Sequence, residues 1–279
     1  MCKECGCGLS AGEPVTISGH EHHDHGDHDH PHHDHDHGDD HSHHHHPHES
    51  AAEERRTLDL RHAILEKNDR LAERNRGFFR ARGVLVLNVL SSPGSGKTTL
   101  IGETIRHLGP SLKTAVIVGD LATDNDARRL RESGAPVVQI NTGTVCHLEA
   151  DMVARAWKQL DVSKLDLLII ENVGNLVCPA SYDLGEDLRI VLLSVTDGED
   201  KPLKYPPMFH SADVVIISKI DLDRACDFKR EEATANIRHI APHAQLFEVS
   251  SKTGAGLDEW CNYLVHQHEA VKRRDPLEA

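Results

Sequence analysis

Beyond residue 83, apolar residues come in short runs separated by stretches long enough for a helix. The runs are residues 84–90, 114–118, 137–140, 167–170, 190–195, 214–217 and 246–249, rich in Val, Ile and Leu. Continuous runs of this length, without polar alternation, predict strands buried on both faces. Segments of helical length lie between most of them, and strands alternating with helices imply parallel crossovers. The pattern therefore predicts an α/β fold: a doubly wound, mostly parallel sheet with helices on both faces. Upstream, Leu58, Ile64, Leu65 and Leu71 recur among Arg, Glu and Lys at roughly helical spacing. That predicts an amphipathic leading helix over 53–82, ended by Gly83.

The pattern fails before residue 51, where almost no apolar residue follows Ile17. The tract from His20 to His48 holds 16 of the 24 histidines, interleaved with Asp, Gly and Pro. Such a segment buries too little apolar surface to offset its ordering entropy, so disorder without metal is expected over 20–50. The predicted organisation is a Cys-rich motif at 1–19, this His-rich tract, the leading helix, one nucleotide-binding domain at 83–270 and a tail at 271–279. Of the formal charge of -14, residues 1–54 contribute -12, which leaves the remaining 225 residues close to neutral. A near-neutral folded part argues against a nucleic-acid-binding surface. No run of about 18 apolar residues and no secretory layout exist, so no membrane span and a cytoplasmic location are expected.

Seven cysteines are present, and in a reducing compartment their clustering points to metal or redox chemistry. Cys226 and Cys261, placed on predicted helices without nearby soft ligands, are expected to be structural thiols.

Directly after the first predicted strand stands Ser91-Ser92-Pro93-Gly94-Ser95-Gly96-Lys97-Thr98-Thr99, a Walker A loop. Gly94 and Gly96 let backbone N–H groups turn toward phosphate, with Ser92, Ser95 and Thr99 in the same loop. Lys97 supplies a charge to the β and γ phosphates, Thr98 offers its hydroxyl to Mg²⁺, and the following helix adds its positive end. Ser91 stands where the usual motif has Gly.

Ligands of parallel sheets gather at the carboxyl ends of strands. Asp120, ending the second strand, is placed to reach the metal shell or the attacking water. Glu171-Asn172-Val173-Gly174 takes the Walker B position, with Glu171 on the Mg²⁺ side and Gly174 near the γ phosphate. Asp124 and Asp126 either join them or cap the next helix. Ser218-Lys219-Ile220-Asp221 matches the guanine-reading Asn-Lys-x-Asp pattern except for Ser218, with Asp221 on the base and Lys219 covering the ring. Ser250-Ser251-Lys252-Thr253-Gly254 resembles the loop that completes a guanine pocket, through Ser251 and Lys252. Two such loops in this order favour GTP over ATP.

Three candidate metal sites remain. Cys2, Cys5 and Cys7 offer three thiolates within six residues, suited to Ni²⁺ with nitrogen donors or to half of a zinc knuckle. Cys146 and His147, expected to open the helix after the third strand, join Cys178 seven residues beyond Glu171. Ni²⁺ is expected there, with Zn²⁺ also open, and the three donors leave a coordination position for a second protomer or a solvent molecule. The His tract binds several Ni²⁺ or Zn²⁺ ions and is expected to store them.

Four segments together resemble the HypB family of hydrogenase nickel-incorporation proteins, a family of SIMIBI-class P-loop GTPases. They are Cys-x-x-Cys-Gly-Cys, Ser-Ser-Pro-Gly-Ser-Gly-Lys-Thr-Thr, Thr-Gly-Thr-Val-Cys-His-Leu and Glu-Asn-Val-Gly-Asn-Leu-Val-Cys-Pro. The resemblance covers residues 53 to about 268 and the extreme N-terminus. It implies GTP hydrolysis coupled to metal transfer, a GTP-dependent homodimer, and a Cys146/His147/Cys178 site near its interface. It also implies a HypA-like nickel chaperone as partner and the [NiFe]-hydrogenase large subunit precursor as recipient. Nickel storage and urease service are the competing readings, and the Cys-Pro-His expected of the urease relative is missing here.

Overall fold

A computed structural model describes residues 51–120 and 125–273. Cys2, Cys5, Cys7, the His tract, Asp124 and most of the 271–279 tail lie outside the described residues. Contacts group the chain into two units, 1–59 and 60–279. Of the first, only the start of helix α1, Ala51–Arg80, is described.

The second unit contains the sheet. All seven expected strands form: β1 Leu85–Ser91, β2 Thr114–Asp120, β3 Val137–Asn141, β4 Leu167–Glu171, β5 Leu188–Ser194, β6 Val214–Ser218 and β7 Gln245–Val249. They pair in parallel throughout, in the order β3-β2-β4-β1-β5-β6-β7. The leading helix ends three residues before Gly83, close to its expected limit.

Strand side chains alternate between the two faces, so each apolar run feeds two cores. Leu85, Leu87 and Val89 of β1 pack with Leu100, Ile101, Leu130, Trp260 and Leu264. That face is covered by α2 Lys97–Leu108, α3 Asn125–Arg131 and α8 Leu257–Arg273. Val86, Ile117 and Ile170 face the other way onto Phe79, Leu148, Val153 and Ala156, under the end of α1 and α4 Ala150–Ala156. Farther along that face lie the short α5 Lys201–Lys204, α6 Pro206–His210 and α7 Arg230–Ile240. Met208, Phe209, Ala233 and Ile237 of the last two cover β5 and β6.

Two local expectations change. Cys146 and His147 do not open a helix: α4 begins at Ala150, and they sit in the loop before it. Cys226 lies in an exposed turn beside Asp227, whose φ of 51° is incompatible with a helix, whereas Cys261 is buried on α8 as expected. No helix among the described residues is long and apolar enough to cross a membrane.

Candidate functional site

The loop between β1 and α2 is held by its own side chains. Lys97 Nζ donates to Ser91 Oγ at 2.9 Å, and Ser91 donates to the Ser92 carbonyl at 2.7 Å. The serine that replaces the first glycine of the motif therefore anchors the lysine. Burial lowers the Lys97 pKa against the opposing pull of Glu171, Asp126 and Asp197. Gly94 and Gly96 have φ of 76° and 95°, the left-handed region that glycine enters without steric cost.

Asp197, which the sequence analysis passed over, closes this loop from the end of β5. Ser92 Oγ donates to Asp197 Oδ2 at 2.6 Å, and Ser95 Oγ lies 3.2 Å from the same oxygen. Its place just beyond a strand terminus was the available signal.

Opposite Lys97, Thr98 Oγ1 donates to Glu171 Oε1 at 2.6 Å. Glu171 is buried, and its Oε2 has no hydrogen-bond partner. Its pKa is pushed up to about 7, chiefly by desolvation and with added repulsion from Asp126 and Asp120, against the opposing pull of Thr98 and Lys97. An orphaned carboxylate oxygen beside a hydroxyl and further carboxylates is an all-oxygen donor set, which fits Mg²⁺. Asp120, Asp126 and Arg129 line the same cleft of about 490 Å³ with Lys97 and Thr98. Arg129 had no signal in the sequence.

An adjoining cavity of about 190 Å³ is bounded by Ser95, Thr99, Lys219, Asp221, Ser251 and Lys252. Ser250 Oγ donates to Asp221 Oδ1 at 2.6 Å and aims that carboxylate. Lys219 Nζ reaches the Gly94 carbonyl at 2.6 Å, and Ser218 Oγ reaches the Ser95 carbonyl at 2.9 Å. Ser218 thus braces the loop between β1 and α2, and among the described residues Asp221 is the one carboxylate lining the adjoining cavity. A larger cavity, about 600 Å³, opens between Leu112, Pro136 and Leu165 at the amino ends of the strands. It is remote from the residues above, and its Arg106 and Lys164 are already paired with Glu103 and Asp161.

Beyond Glu171 the chain runs to Cys178 along a loop pressed on the phosphate loop: a Cβ on Gly174 would sit 3.1 Å from Pro93 Cα. Asn175 Nδ2 lies 3.4 Å from the Cys146 carbonyl, and Asn172 Oδ1 accepts from Leu148 N at 3.3 Å. These two asparagines fasten the Cys146–Leu148 segment to the Walker B loop. Leu148, fully buried, fills the space above Gly119, where a Cβ would meet its side chain at 2.8 Å.

The result is a cluster of Cys146, His147 and Cys178, all half-buried, whose ligand atoms lie within 4.8 Å of one another. The His147 ring stacks on Tyr182 at 3.9 Å, and neither ring nitrogen has a hydrogen-bond partner. Glu149 is 3.8 Å away, beyond hydrogen-bond reach. Burial lowers the His147 pKa, with Glu149 opposing. Two thiols and a neutral, unpartnered imidazole fit a divalent ion of nickel or zinc type and leave a coordination position open.

The CobW/HypB/UreG nucleotide-binding domain model matches residues 85–248. The hydrogenase maturation factor HypB of Escherichia coli (strain K12) is 50% identical over 214 residues, 77% of this chain and 74% of its own length. The hydrogenase/urease maturation factor HypB of Helicobacter pylori (strain 26695) is 46% identical over 208 residues, 73% of this chain and 85% of its own. Among solved structures, HypB from Helicobacter pylori in complex with nickel aligns with a TM-score of 0.70 at 45% identity, over 73% of this chain and 96% of that one. The hydrogenase maturation factor HypB from Archaeoglobus fulgidus aligns with a TM-score of 0.68 at 40% identity, over 73% and 99%.

Proposed function

The chain belongs to the CobW/HypB/UreG family, and on that premise we propose that it is a GTP-hydrolysing nickel metallochaperone. It binds Ni²⁺ and delivers it, under control of the nucleotide, for [NiFe]-hydrogenase maturation. The observation that carries this reading is the loop from Glu171 to Cys178. One end touches Thr98 and the phosphate loop, and the other ends in a thiol of the Cys/His cluster.

Each part of the cleft then has a task. Asp221 receives the guanine N1 and N2 donors, Lys219 covers the ring, and Ser251 and Lys252 close the pocket. Backbone N–H groups of residues 94–97 cradle the phosphates, and Lys97 neutralises charge at the β and γ positions. Thr98 and Glu171 hold Mg²⁺, which supplies further charge neutralisation there when bound. Asp120 orients the attacking water, and Gly174 lets the loop approach the γ phosphate.

Nickel is the cargo. Cys146, His147 and Cys178 grip it, and burial lowers the His147 pKa, which favours the neutral imidazole that ligation requires. A second protomer, drawn in by GTP, fills the open coordination position. Cys2, Cys5 and Cys7 form a separate nickel site, and the His tract buffers the ion. A HypA-like chaperone and the hydrogenase large subunit precursor are the protein partners, in the cytoplasm.

Lys97→Ala tests the reading in cells lacking the wild-type chain. The variant should lose GTP hydrolysis, keep nickel on its N-terminal cysteines, and fail to restore hydrogenase activity at low nickel. Restored activity would favour nickel storage instead. Because the Helicobacter pylori relative is named for hydrogenase and urease alike, urease activity in the same cells checks the second recipient.

A further inference from the structure

The centre of β1 contains an asparagine, Asn88, in an otherwise apolar run, and it is 0% exposed. A buried amide is destabilising unless its donors and acceptor are bonded. Its partners are buried polar groups as well. Asn172, 1% exposed, donates through Nδ2 to Asn88 Oδ1 at 3.2 Å, and Asn88 Nδ2 donates to Glu186 Oε1 at 3.1 Å. Arg189 Nε and Nη2 donate to the same Glu186 oxygen at 3.0 and 2.9 Å, and Leu184 N donates to Oε2 at 2.8 Å.

The two ends of this chain are the two arms of the metal cluster. At one end, Asn172 follows Glu171 directly and holds Leu148 N, one residue past His147. At the other, Arg189 Nη1 and Nη2 hold the carbonyls of Ala180 and Tyr182 at 3.1 and 3.0 Å. The first carbonyl belongs to the tight turn Cys178–Ser181, and the second to Tyr182, the residue that ends it. We propose that the buried chain Asn172–Asn88–Glu186–Arg189 sets the spacing between the Cys146–His147 arm and the Cys178 arm according to what is bound at Glu171, with Asn88 as the positioning residue. This rests on the nucleotide-controlled nickel site proposed above.

The reason is connectivity. Glu171 exchanges the Thr98 hydroxyl for other ligands when the cleft fills, and its neighbour Asn172 has both faces of its amide committed. Asn88, Asn172 and Glu186 are all buried, so a shift of Asn172 either carries Asn88 and Leu148 along or strands a buried polar group. The outer ends of both arms are fixed separately by α1. Asn75 Nδ2 donates to Ala150 O at 2.9 Å and Leu184 O at 3.1 Å, and Asn68 bridges Ala150 N and the Asp183 carbonyl. A displacement that enters at Asn172 is therefore expressed between these anchors, where the cluster lies.

The test uses the full chain carrying Cys2→Ala, Cys5→Ala and Cys7→Ala, titrated with Ni²⁺ and read by the thiolate-to-nickel charge-transfer absorption. In this parent the nickel Kd is expected to differ at least about fivefold between the GDP form and the form with a non-hydrolysable GTP analogue. Adding Asn88→Val should bring that ratio to about one while affinity for either nucleotide, and for nickel without nucleotide, stays near the parent value. Glu186→Ala removes the oxygen that Asn88 and Arg189 share, should act in the same direction, and decides the matter if Asn88→Val does not fold. Variants that fold and keep the parent ratio overturn the proposal. A parent ratio of one removes both this proposal and the nucleotide control it rests on, whereas a parent ratio retained by the variants removes the network alone.

Discussion

The contact between Gly119 and Leu148 yields a quantitative test of how the two halves of the site are packed. A Cβ at Gly119 would lie 2.8, 2.9 and 2.9 Å from Leu148 Cδ2, Cδ1 and Cγ. Leu148 is fully buried and its backbone N–H is bonded to Asn172, so making way for a methyl would disturb a packed and anchored residue. Overpacking of this kind costs about 1–3 kcal/mol. Replacing glycine also restricts the unfolded chain, a gain of about 0.4–1 kcal/mol that offsets part of the clash. Gly119→Ala should therefore lose about 1–2 kcal/mol net, lowering Tm by about 2–4 °C per kcal/mol in a domain of this size. Urea unfolding of the metal-free protein measures it. Leu148→Ala alone should cost about 2–5 kcal/mol through the cavity it leaves. In the double variant the new methyl enters that cavity, so the two losses should fall short of additivity by about 1 kcal/mol or more. A Gly119→Ala variant as stable as the wild type, or strictly additive losses, would refute the packing argument.

Asp221→Asn removes the acceptor expected for two guanine donors, and GTP affinity should fall about 10- to 100-fold, in line with about 1.5–3 kcal/mol for a charge-assisted bond; unchanged GTP affinity with ATP still excluded would move base recognition elsewhere. Ser218→Ala deletes the brace to the Ser95 carbonyl and should weaken nucleotide binding of either base by a few-fold, about 0.5–1.5 kcal/mol; a change confined to guanine would show that Ser218 touches the base. His268 is buried on α8, and desolvation lowers its pKa, aided by Lys272 and opposed by Asp166. Between its folded pKa and the unfolded value of about 6.5, the unfolded chain binds more protons, so stability rises with pH through that window and is lost as pH falls. The metal-free protein should thus weaken as pH drops below about 6.5, and His268→Gln should flatten that slope in denaturant titrations at several pH values. An unaltered slope would assign the effect elsewhere, with His147 next in line because its pKa is shifted the same way.

Local patterns carried the fold. Seven apolar runs became seven parallel strands, with small shifts such as β5, expected at 190–195 and found at Leu188–Ser194. The loop between β1 and α2 and the residues proposed for the guanine pocket come from contiguous motifs at strand ends, and Lys219, Asp221, Ser251 and Lys252 line one cavity. The exceptions depend on partners far along the chain. Cys-His-Leu-Glu-Ala is compatible with a helix start, yet Leu148 plugs the space at Gly119 and its N–H goes to Asn172, which delays α4 to Ala150. Asp197 reaches Ser92 across 105 positions, and Asn88 reaches Glu186 across 98. No spacing rule links such residues. Asn88 was absorbed into the apolar run 84–90, and its meaning appears only with Glu186 and Arg189 around it.

In the proposed function, one loop from Glu171 to Cys178 both reads the nucleotide and holds the metal. Nickel titration of the Cys2→Ala, Cys5→Ala, Cys7→Ala chain with and without Cys178→Ala, each in GDP and in the GTP analogue, tests it most directly. Nickel affinity is expected to depend on the nucleotide, and that dependence to disappear together with the charge-transfer signal of the cluster when Cys178 is replaced. Equal nickel affinity in the two nucleotide forms of the chain that retains Cys178 would contradict it.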